Sequence, residues 1–320
     1  MNILSRSFLP ILIVGLGAAC TSTDSSVPPA QTEPSTANER AIPPPTFVDS
    51  NGRLIAMGDV HGDYDAAISA LKLAGAIDDN LRWIGGDLTI VQTGDQLDRG
   101  DQERAILDLF ERIADEAHEA GGAFYSLLGN HESMNVELDL RYVTPGGFVD
   151  FADIPYDEND PLISGYPEEQ RGRVAAFRPG GPYAEILAGH NVVMVVDDTV
   201  FIHGGLLPSH VTYGLEKLNQ DVQAFFMGNL TFPRVMEGSD SPVWSRHFSD
   251  ETDVDDCALL DQVLDAVSAS RMVVGHTVQR PGITSACDRK VWRIDVGMAA
   301  YYDGVISVLE VVGDEIRIIQ

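Results

Sequence analysis

The segment LTIVQTGDQLDRG (residues 88–100) joins an apolar run, typical of a buried strand, to a polar loop. Glycines at both ends of the loop bound Asp95, Asp98 and Arg99. An α/β fold carries its ligand-binding side chains on loops of this kind, beyond the ends of its strands. The segment therefore predicts an α/β domain with a polar site at one edge of the sheet.

Four further glycine-containing loops occur along the chain, and four of the five loops follow or partly follow an apolar run. The others are Gly58-Asp59-Val60-His61-Gly62, Gly129-Asn130-His131-Glu132, His203-Gly204-Gly205 and Gly275-His276-Thr277. A lone motif of this type is usually a turn, but five with complementary side chains are enough for a two-metal site. Mixed Asp, Asn and His ligands suit Mn, Fe or Zn better than Ca or Mg.

Strands, loops and helices alternate through the first part of the domain, which is the βαβ pattern. The predicted elements are a strand at 54–57, a helix at 65–74, a strand at 88–93, a helix at 102–120 and a strand at 123–128. The regularity then breaks, and an insertion at about residues 142–185 is expected to form a helical, loop-rich cap. Further strands are predicted at 192–196, 199–202, 271–274, 291–296, 305–311 and 315–319.

The first 45 residues do not resemble a folded domain. Arg6 precedes an apolar run that ends at Cys20, which is typical of a secretory signal and too short to span a membrane. Residues 16–20 resemble a bacterial lipoprotein cleavage site, which predicts lipidation of Cys20; cleavage near Ala19 without lipid is the alternative. We therefore expect a lipoprotein signal peptide at 1–20, a disordered tether at 21–45 and the folded domain at 46–320. The protein would be exported and held by lipid on the periplasmic side of a bacterial envelope.

The charge of the chain argues against nucleic-acid binding. Asp and Glu number 49 against 21 Lys and Arg, which gives a formal net charge of −28. Such a surface repels nucleic acid and acidic substrates alike. Phosphate chemistry on this chain would therefore need a local concentration of cations, which bound metals could provide.

Three cysteines are present. If Cys20 carries lipid, Cys257 and Cys287 remain as a pair in an exported protein, and a disulfide is the natural interpretation. Two unpaired thiols are the alternative.

The five loops together resemble the calcineurin-like metallophosphoesterase superfamily and, within it, the PPP-type protein phosphatases. The resemblance extends over residues 54–302, and the loops at 94–100 and 129–132 are its most specific part. Residues 200–206 (VFIHGGL) and 295–298 (DVGM) resemble the bacterial-type subgroup called Shewanella-like phosphatases. The resemblance implies a four-layer α/β/β/α sandwich with a cap insertion.

The family pattern assigns roles to the matching positions. It implies a first metal held by Asp59, His61 and Asp95, and a second held by Asp95, Asn130, His203 and His276. His131 would be the general acid, oriented by Asp98, and Arg99 would bind phosphate; Arg246 is the candidate for a second phosphate arginine. Glu132 is expected to support the loop of His131. Tyr301 and Tyr302 could stack over substrate or pack in the core.

The leading hypothesis is a metal-dependent phosphomonoesterase that acts on phosphoprotein, at tyrosine and/or serine and threonine. Water that bridges the two metals would attack phosphorus directly, without a phosphoenzyme. One alternative is hydrolysis of small phosphate esters or dinucleoside polyphosphates on the same fold. Another is a non-catalytic lipoprotein that only binds metal.

Overall fold

The computed structural model describes residues 43–50 and 52–320. The predicted signal peptide, the lipidation site Cys20 and most of the predicted tether lie outside these residues. The described chain makes packing contacts from its start, since the carbonyl oxygen of Pro44 accepts a hydrogen bond from Asn191 Nδ2 at 2.9 Å. Within the described residues, no helix is both long and apolar enough to cross a membrane.

The described residues form two β-sheets. The strands are β1 Phe47–Val48, β2 Leu54–Met57, β3 Thr89–Gln92, β4 Ala123–Ser126, β5 Val193–Val196, β6 Thr199–Ile202, β7 Arg271–Val274, β8 Thr284–Ala286, β9 Val291–Arg293, β10 Val308–Val312 and β11 Glu315–Ile319. One sheet has the order β1-β5-β6-β7-β9-β8, and the other has the order β11-β10-β2-β3-β4.

Helices surround the two sheets. They are α1 Tyr64–Leu73, α2 Glu103–Glu119, α3 Asn130–Val136, α4 Pro145–Val149, α5 Pro161–Ser164, α6 Glu168–Phe177, α7 Pro182–Leu187, α8 Pro208–Tyr213, α9 Leu215–Phe226 and α10 Val254–Val267, with a 3-10 helix at Arg234–Met236. Helices α4 to α7 lie in or near the predicted insertion at about residues 142–185.

Strand alternation divides the core into two apolar clusters. On β6, Phe201 belongs to a cluster that holds residues of both sheets, such as Ile90 of β3, together with residues of α1 and α2. Its neighbours Val200 and Ile202 face a second cluster, which holds residues of α7, α9 and α10. Successive side chains of a strand point to opposite faces, so one strand serves both clusters. The layers are therefore helix, sheet, sheet and helix, and the predicted fold class is confirmed.

Parallel pairing brings the five polar loops together. Strands β2, β3 and β4 are parallel neighbours in one sheet, and β6, β7 and β9 are parallel neighbours in the other. The carboxyl ends of parallel neighbours lie at one edge of a sheet, so the loops that follow them are adjacent. Side chains more than 200 residues apart in sequence can therefore share one site.

Three details of the last strands differ from the prediction, and the first is that the strand expected at 291–296 ends at Arg293. The strand expected at 305–311 begins only at Val308, since Val305 is 53% exposed and Gly304 N–H donates to the carbonyl of Gly297. The short strand β8 was not predicted, because none of its three residues is buried and none is large and apolar. The predicted hairpin of β5 and β6 is confirmed as antiparallel, with Asp197 at φ 52° in its turn.

Candidate metal centre and active site

The loop after β2 carries Asp59 and His61 and is fixed to the loop after β3. The N–H groups of Val60 and His61 both donate to the carbonyl oxygen of Asp95, at 3.1 and 2.9 Å. A Cβ added at Gly100 would lie 2.4 Å from the carbonyl oxygen of Gly62. The two loops therefore pack backbone against backbone, which only glycine permits at this distance.

The loop after β3 is held in an unusual backbone conformation. Asp95, Asp98 and Arg99 have φ of 57°, 66° and 69°, in the left-handed region that L-residues rarely occupy. Strain of this kind persists where surrounding contacts determine the backbone, and it is frequent at functional sites. Here the loop is held by a buried carboxylate.

That carboxylate belongs to Glu132, which is fully buried. It accepts hydrogen bonds from four backbone N–H groups, those of Asp95 (2.8 Å), Gln96 (2.9 Å), Leu97 (3.1 Å) and Gly129 (2.7 Å). Glu132 thus joins the loops after β3 and β4 and makes no contact that would mark it as a ligand. The expectation that it supports the loop of His131 is confirmed.

The structure brings all six predicted metal ligands together. Asp95 Oδ2 lies 3.3 Å from His203 Nε2 and 3.7 Å from His61 Nε2. His61 Nε2 lies 3.9 Å from Asp59 Oδ2. His203 Nε2 is also 3.0 Å from Asn130 Oδ1 and 3.2 Å from His276 Nδ1. None of the six residues is more than 9% exposed.

The arrangement of the donor atoms suits two metal ions. Two groups of ligand atoms each lie within 4.8 Å, and Asp95 belongs to both: Asp95 with His61 and His131, and Asp95 with His203 and His276. Asp59 Oδ1 and His276 Nε2 are buried and have no hydrogen-bond partner among the described residues. Buried polar atoms are normally paired, so the unpaired oxygen and nitrogen indicate ligands for an ion. Aspartate, amide and imidazole donors suit Mn, Fe or Zn.

The buried carboxylates of Asp59 and Asp295 have too little positive charge near them to favour ionisation. Burial and the neighbouring carboxylates of Asp295 and Asp95 raise the pKa of Asp59 well above its ordinary value. Burial also raises the pKa of Asp295 to about 6, with a contribution from Asp95. Burial disfavours the charge of Asp95 as well, but the imidazoles of His203 and His131 outweigh it and hold the pKa of Asp95 well below its ordinary value. A bound metal ion would supply the nearby positive charge that Asp59 and Asp295 lack.

Two of the imidazoles are held neutral, as metal ligands must be. Burial lowers the pKa of His61 to about 3, and burial with the nearby His203 lowers the pKa of His276 well below its ordinary value. His203 differs, because the adjacent Asp95 carboxylate outweighs burial and raises its pKa.

His131 and Asp98 form a buried pair beside the ligand cluster. His131 Nδ1 is hydrogen-bonded to Asp98 Oδ2 at 2.5 Å, and His131 Nε2 lies 3.8 Å from Asp95 Oδ2. The other oxygen of Asp98 accepts hydrogen bonds from Asn135 and Arg173, which sequence reasoning did not identify. Neither residue lies in a recognisable motif, so no sequence signal pointed to them.

The predicted phosphate arginines line a small pocket above the ligands. Arg99 Cζ lies 5.1 Å from the ring of Tyr142 and 5.2 Å from that of Tyr302, and its Nη1 lies 3.0 Å from His61 Nε2. Arg246 Nη1 donates to Thr277 Oγ1 at 2.5 Å. The pocket has a volume of about 220 Å³ and is lined by Asp95, Arg99, Asn130, His131, Tyr142, Trp244, Arg246, His276, Val278 and Tyr302. Tyr302 therefore faces the position of a substrate, whereas Tyr301 is 65% exposed.

Asp295 and the two cysteines of the described chain complete the comparison with the sequence predictions. Asp295 is almost fully buried beside Asp59, although sequence reasoning gave it no role. Cys257 and Cys287 form a disulfide with a Cα–Cα distance of 5.3 Å, between α10 and the turn from β8 to β9. The disulfide does not line the pocket.

Residues 52–280 match the family model of the calcineurin-like phosphoesterases, and the chain belongs to that family. The family makes it a metal-dependent phosphoric ester hydrolase with a dinuclear centre. Its relatives include Shewanella-like protein phosphatase 2 of Arabidopsis thaliana, which is 40% identical over 83% of this chain and 77% of that protein. Shewanella-like protein phosphatase 1 of Plasmodium berghei is 28% identical over 78% and 68% of the two chains.

The fold also matches solved structures. The cold-active protein-tyrosine phosphatase of a psychrophilic Shewanella species superposes with a TM-score of 0.69 over 89% of this chain and 85% of that one, at 23% identity. At this identity the match shows the fold alone.

Proposed function

We propose that this enzyme is a metal-dependent protein phosphatase that hydrolyses phosphotyrosine and/or phosphoserine and phosphothreonine. One observation carries the proposal: two arginines and His131, which is paired with Asp98, line one pocket together with three of the six converging predicted metal ligands, Asp95, Asn130 and His276. The names of its relatives, which are called Shewanella-like protein phosphatases, support phosphoprotein as the substrate class.

We assign one metal to Asp59, His61 and Asp95 and the second to Asp95, Asn130, His203 and His276. Manganese is the proposed ion at both positions, with iron or zinc as alternatives, since the donors mix imidazole with oxygen. When bound, the ions lower the pKa of water and offset the charge of the phosphate.

The side chains of this chain bind the phosphate and supply a proton. Arg99 and Arg246 bind the non-bridging phosphate oxygens, because a guanidinium matches their spacing. Asp98 fixes Nδ1 of His131, so that Nε2 protonates the leaving oxygen. Water attacks phosphorus directly and no phosphoenzyme forms.

We also propose that the protein is exported and lipid-anchored at Cys20. The sequence of residues 1–20 and the disulfide of Cys257 and Cys287 support this location, because disulfides persist in oxidising compartments. Fractionation of cells that express wild type or Cys20→Ser tests it. We expect wild type in the membrane fraction and the variant in the soluble fraction; wild type that is soluble after export would contradict the proposal.

The function is tested by phosphate release from phosphotyrosine and phosphothreonine peptides. We expect turnover with added Mn²⁺, none with chelator, and loss of turnover in Asp95→Asn and His131→Asn. The preferred peptide identifies the residue specificity. Hydrolysis of dinucleoside polyphosphates without peptide turnover would refute the protein-phosphatase proposal and leave the metal site intact.

A further inference from the structure

A buried arginine of the insertion contacts the residues around Asp98. Arg173 lies on α6, and its side chain is 0% exposed. Its guanidinium packs against Phe151 and Phe177, whose ring centroids lie 5.2 and 4.9 Å from Cζ. A charge buried at this depth is tolerated only where it is paired and hydrogen-bonded.

All the hydrogen-bonding capacity of Arg173 is used within the protein. An arginine side chain has five N–H donors. Five hydrogen bonds are present: from Nε to Asn135 Oδ1 (2.9 Å), from Nη1 to Gly147 O (3.0 Å) and Glu103 Oε2, and from Nη2 to Glu103 Oε1 (3.1 Å) and Asp98 Oδ1 (3.3 Å). Three of the five end on carboxylates, and none is left for substrate.

Two of the residues that accept from Arg173, Glu103 and Asn135, also form hydrogen bonds with Asp98. Glu103 Oε1 accepts a hydrogen bond from the backbone N–H of Asp98 at 2.5 Å. Asn135 Nδ2 donates to Asp98 Oδ1 at 3.1 Å. Arg173 therefore restrains Asp98 directly and through both neighbours, while Asp98 Oδ2 remains for His131.

The charge of Arg173 is needed as well as its geometry. Asp98 and Glu103 are both 0% exposed, and Arg173 is the cation that pairs with both. Without it, the two buried carboxyl groups would lose the positive charge they share; burial and the neighbouring Asp98 already raise the pKa of Glu103 to about 7. The Asp98 carboxylate would then turn from its present orientation, and the imidazole of His131 would lose its fixed direction.

We propose that Arg173 is a positioning residue for the general acid His131 and acts through Asp98; this inference rests on the proposed function. The insertion, predicted only to cover the site, thereby contributes to the chemistry. A general acid matters most for a leaving group that needs a proton. Loss of Arg173 should therefore affect poor leaving groups more than good ones, which a purely structural role would not do.

The experiment compares kcat/KM for phenyl phosphate and for 4-nitrophenyl phosphate in the metal-loaded full chain. In Arg173→Met we expect turnover of phenyl phosphate to fall about 10-fold further than that of the nitrophenyl ester, from the usual contribution of a general acid. In the His131→Asn background, Arg173→Met should cause no further loss of kcat/KM, because both substitutions remove the same general-acid contribution.

Arg104→Met is the matched control. Arg104 also joins the core to the insertion, through Asp153 at 2.6 Å, but has no contact with Asp98. We expect this variant to show no difference between the two esters. Since Arg173→Met leaves Glu103 unpaired, the variant Arg173→Met/Glu103→Gln is tested beside it, and folding is followed by circular dichroism.

Two results would overturn the inference. One is an equal loss on both esters in each folded Arg173 variant. The other is that Arg173→Met lowers kcat/KM as much in the His131→Asn background as it does in the wild type. If His131→Asn itself slows both esters equally, His131 is not the general acid, and the proposed mechanism fails before Arg173 is considered.

Discussion

Replacing Glu132 with glutamine should loosen the loop that carries Asp95, Asp98 and Arg99. The carboxylate accepts two N–H groups on each oxygen: Gly129 and Asp95 on Oε2, and Gln96 and Leu97 on Oε1. An amide keeps one acceptor oxygen, and its NH₂ group faces two N–H donors. Two buried backbone donors are then unpaired in the variant.

The expected loss of stability follows from this count. An unpaired buried donor costs about 1–3 kcal/mol, so two cost about 2–6 kcal/mol. Burial raises the pKa of Glu132, which means that its charge is itself costly, and an uncharged amide recovers part of the loss. We therefore expect Glu132→Gln to lower the free energy of unfolding by about 2–4 kcal/mol.

The assay is denaturant unfolding of the chelator-stripped, metal-free protein, followed by fluorescence. Glu119→Gln is the control, since Glu119 lies exposed at the end of α2 and should change stability by less than about 0.5 kcal/mol. A loss below about 1 kcal/mol in Glu132→Gln would refute the claim that this carboxylate holds the loop.

Three further predictions concern the disulfide, a buried imidazole and the exposed phosphate arginine. Replacing Cys257 and Cys287 with serine should lower stability by about 3–4 kcal/mol, because the bond closes a loop of sequence separation 30; an unchanged unfolding midpoint would contradict this. Burial lowers the pKa of His210 to about 4, so the unfolded chain binds more protons than the folded protein between about pH 6.5 and 4, and stability falls as the pH falls through that range. His210→Asn should reduce this loss by about 3 kcal/mol in pH-dependent unfolding, and an identical profile would refute the assignment. Arg246→Met should lower kcat/KM for phosphopeptides about 10- to 100-fold, the value of a charged hydrogen bond; unchanged kinetics would exclude Arg246 from phosphate binding.

The fold and the six proposed metal ligands could be predicted because their signals are local. Each strand is a short apolar run, and each ligand lies within a few residues of a strand end, next to glycine. Parallel pairing then places these ends together without further information from the sequence.

The supporting residues could not be predicted, because their partners are distant in sequence. Helix α6 carries Arg171 and Arg173, two residues apart, and nothing in the sequence distinguishes them. Arg171 bonds to the carbonyl of Tyr166, while Arg173 is buried on Asp98, 75 residues away. Asp295 likewise lies within the strand predicted at 291–296, and only the packing of the two sheets places it beside Asp59.

The most direct test of the central claim is a titration of Mn²⁺ into the chelator-stripped protein, with phosphate release from a phosphopeptide measured at each step. Because Asp95 is shared by both ligand groups, we expect activity to rise to a plateau at two ions per chain. Asp95→Asn should bind fewer ions and remain inactive. Full activity in the stripped protein, or a plateau at one ion with Asp95→Asn still active, would contradict a dinuclear phosphatase site.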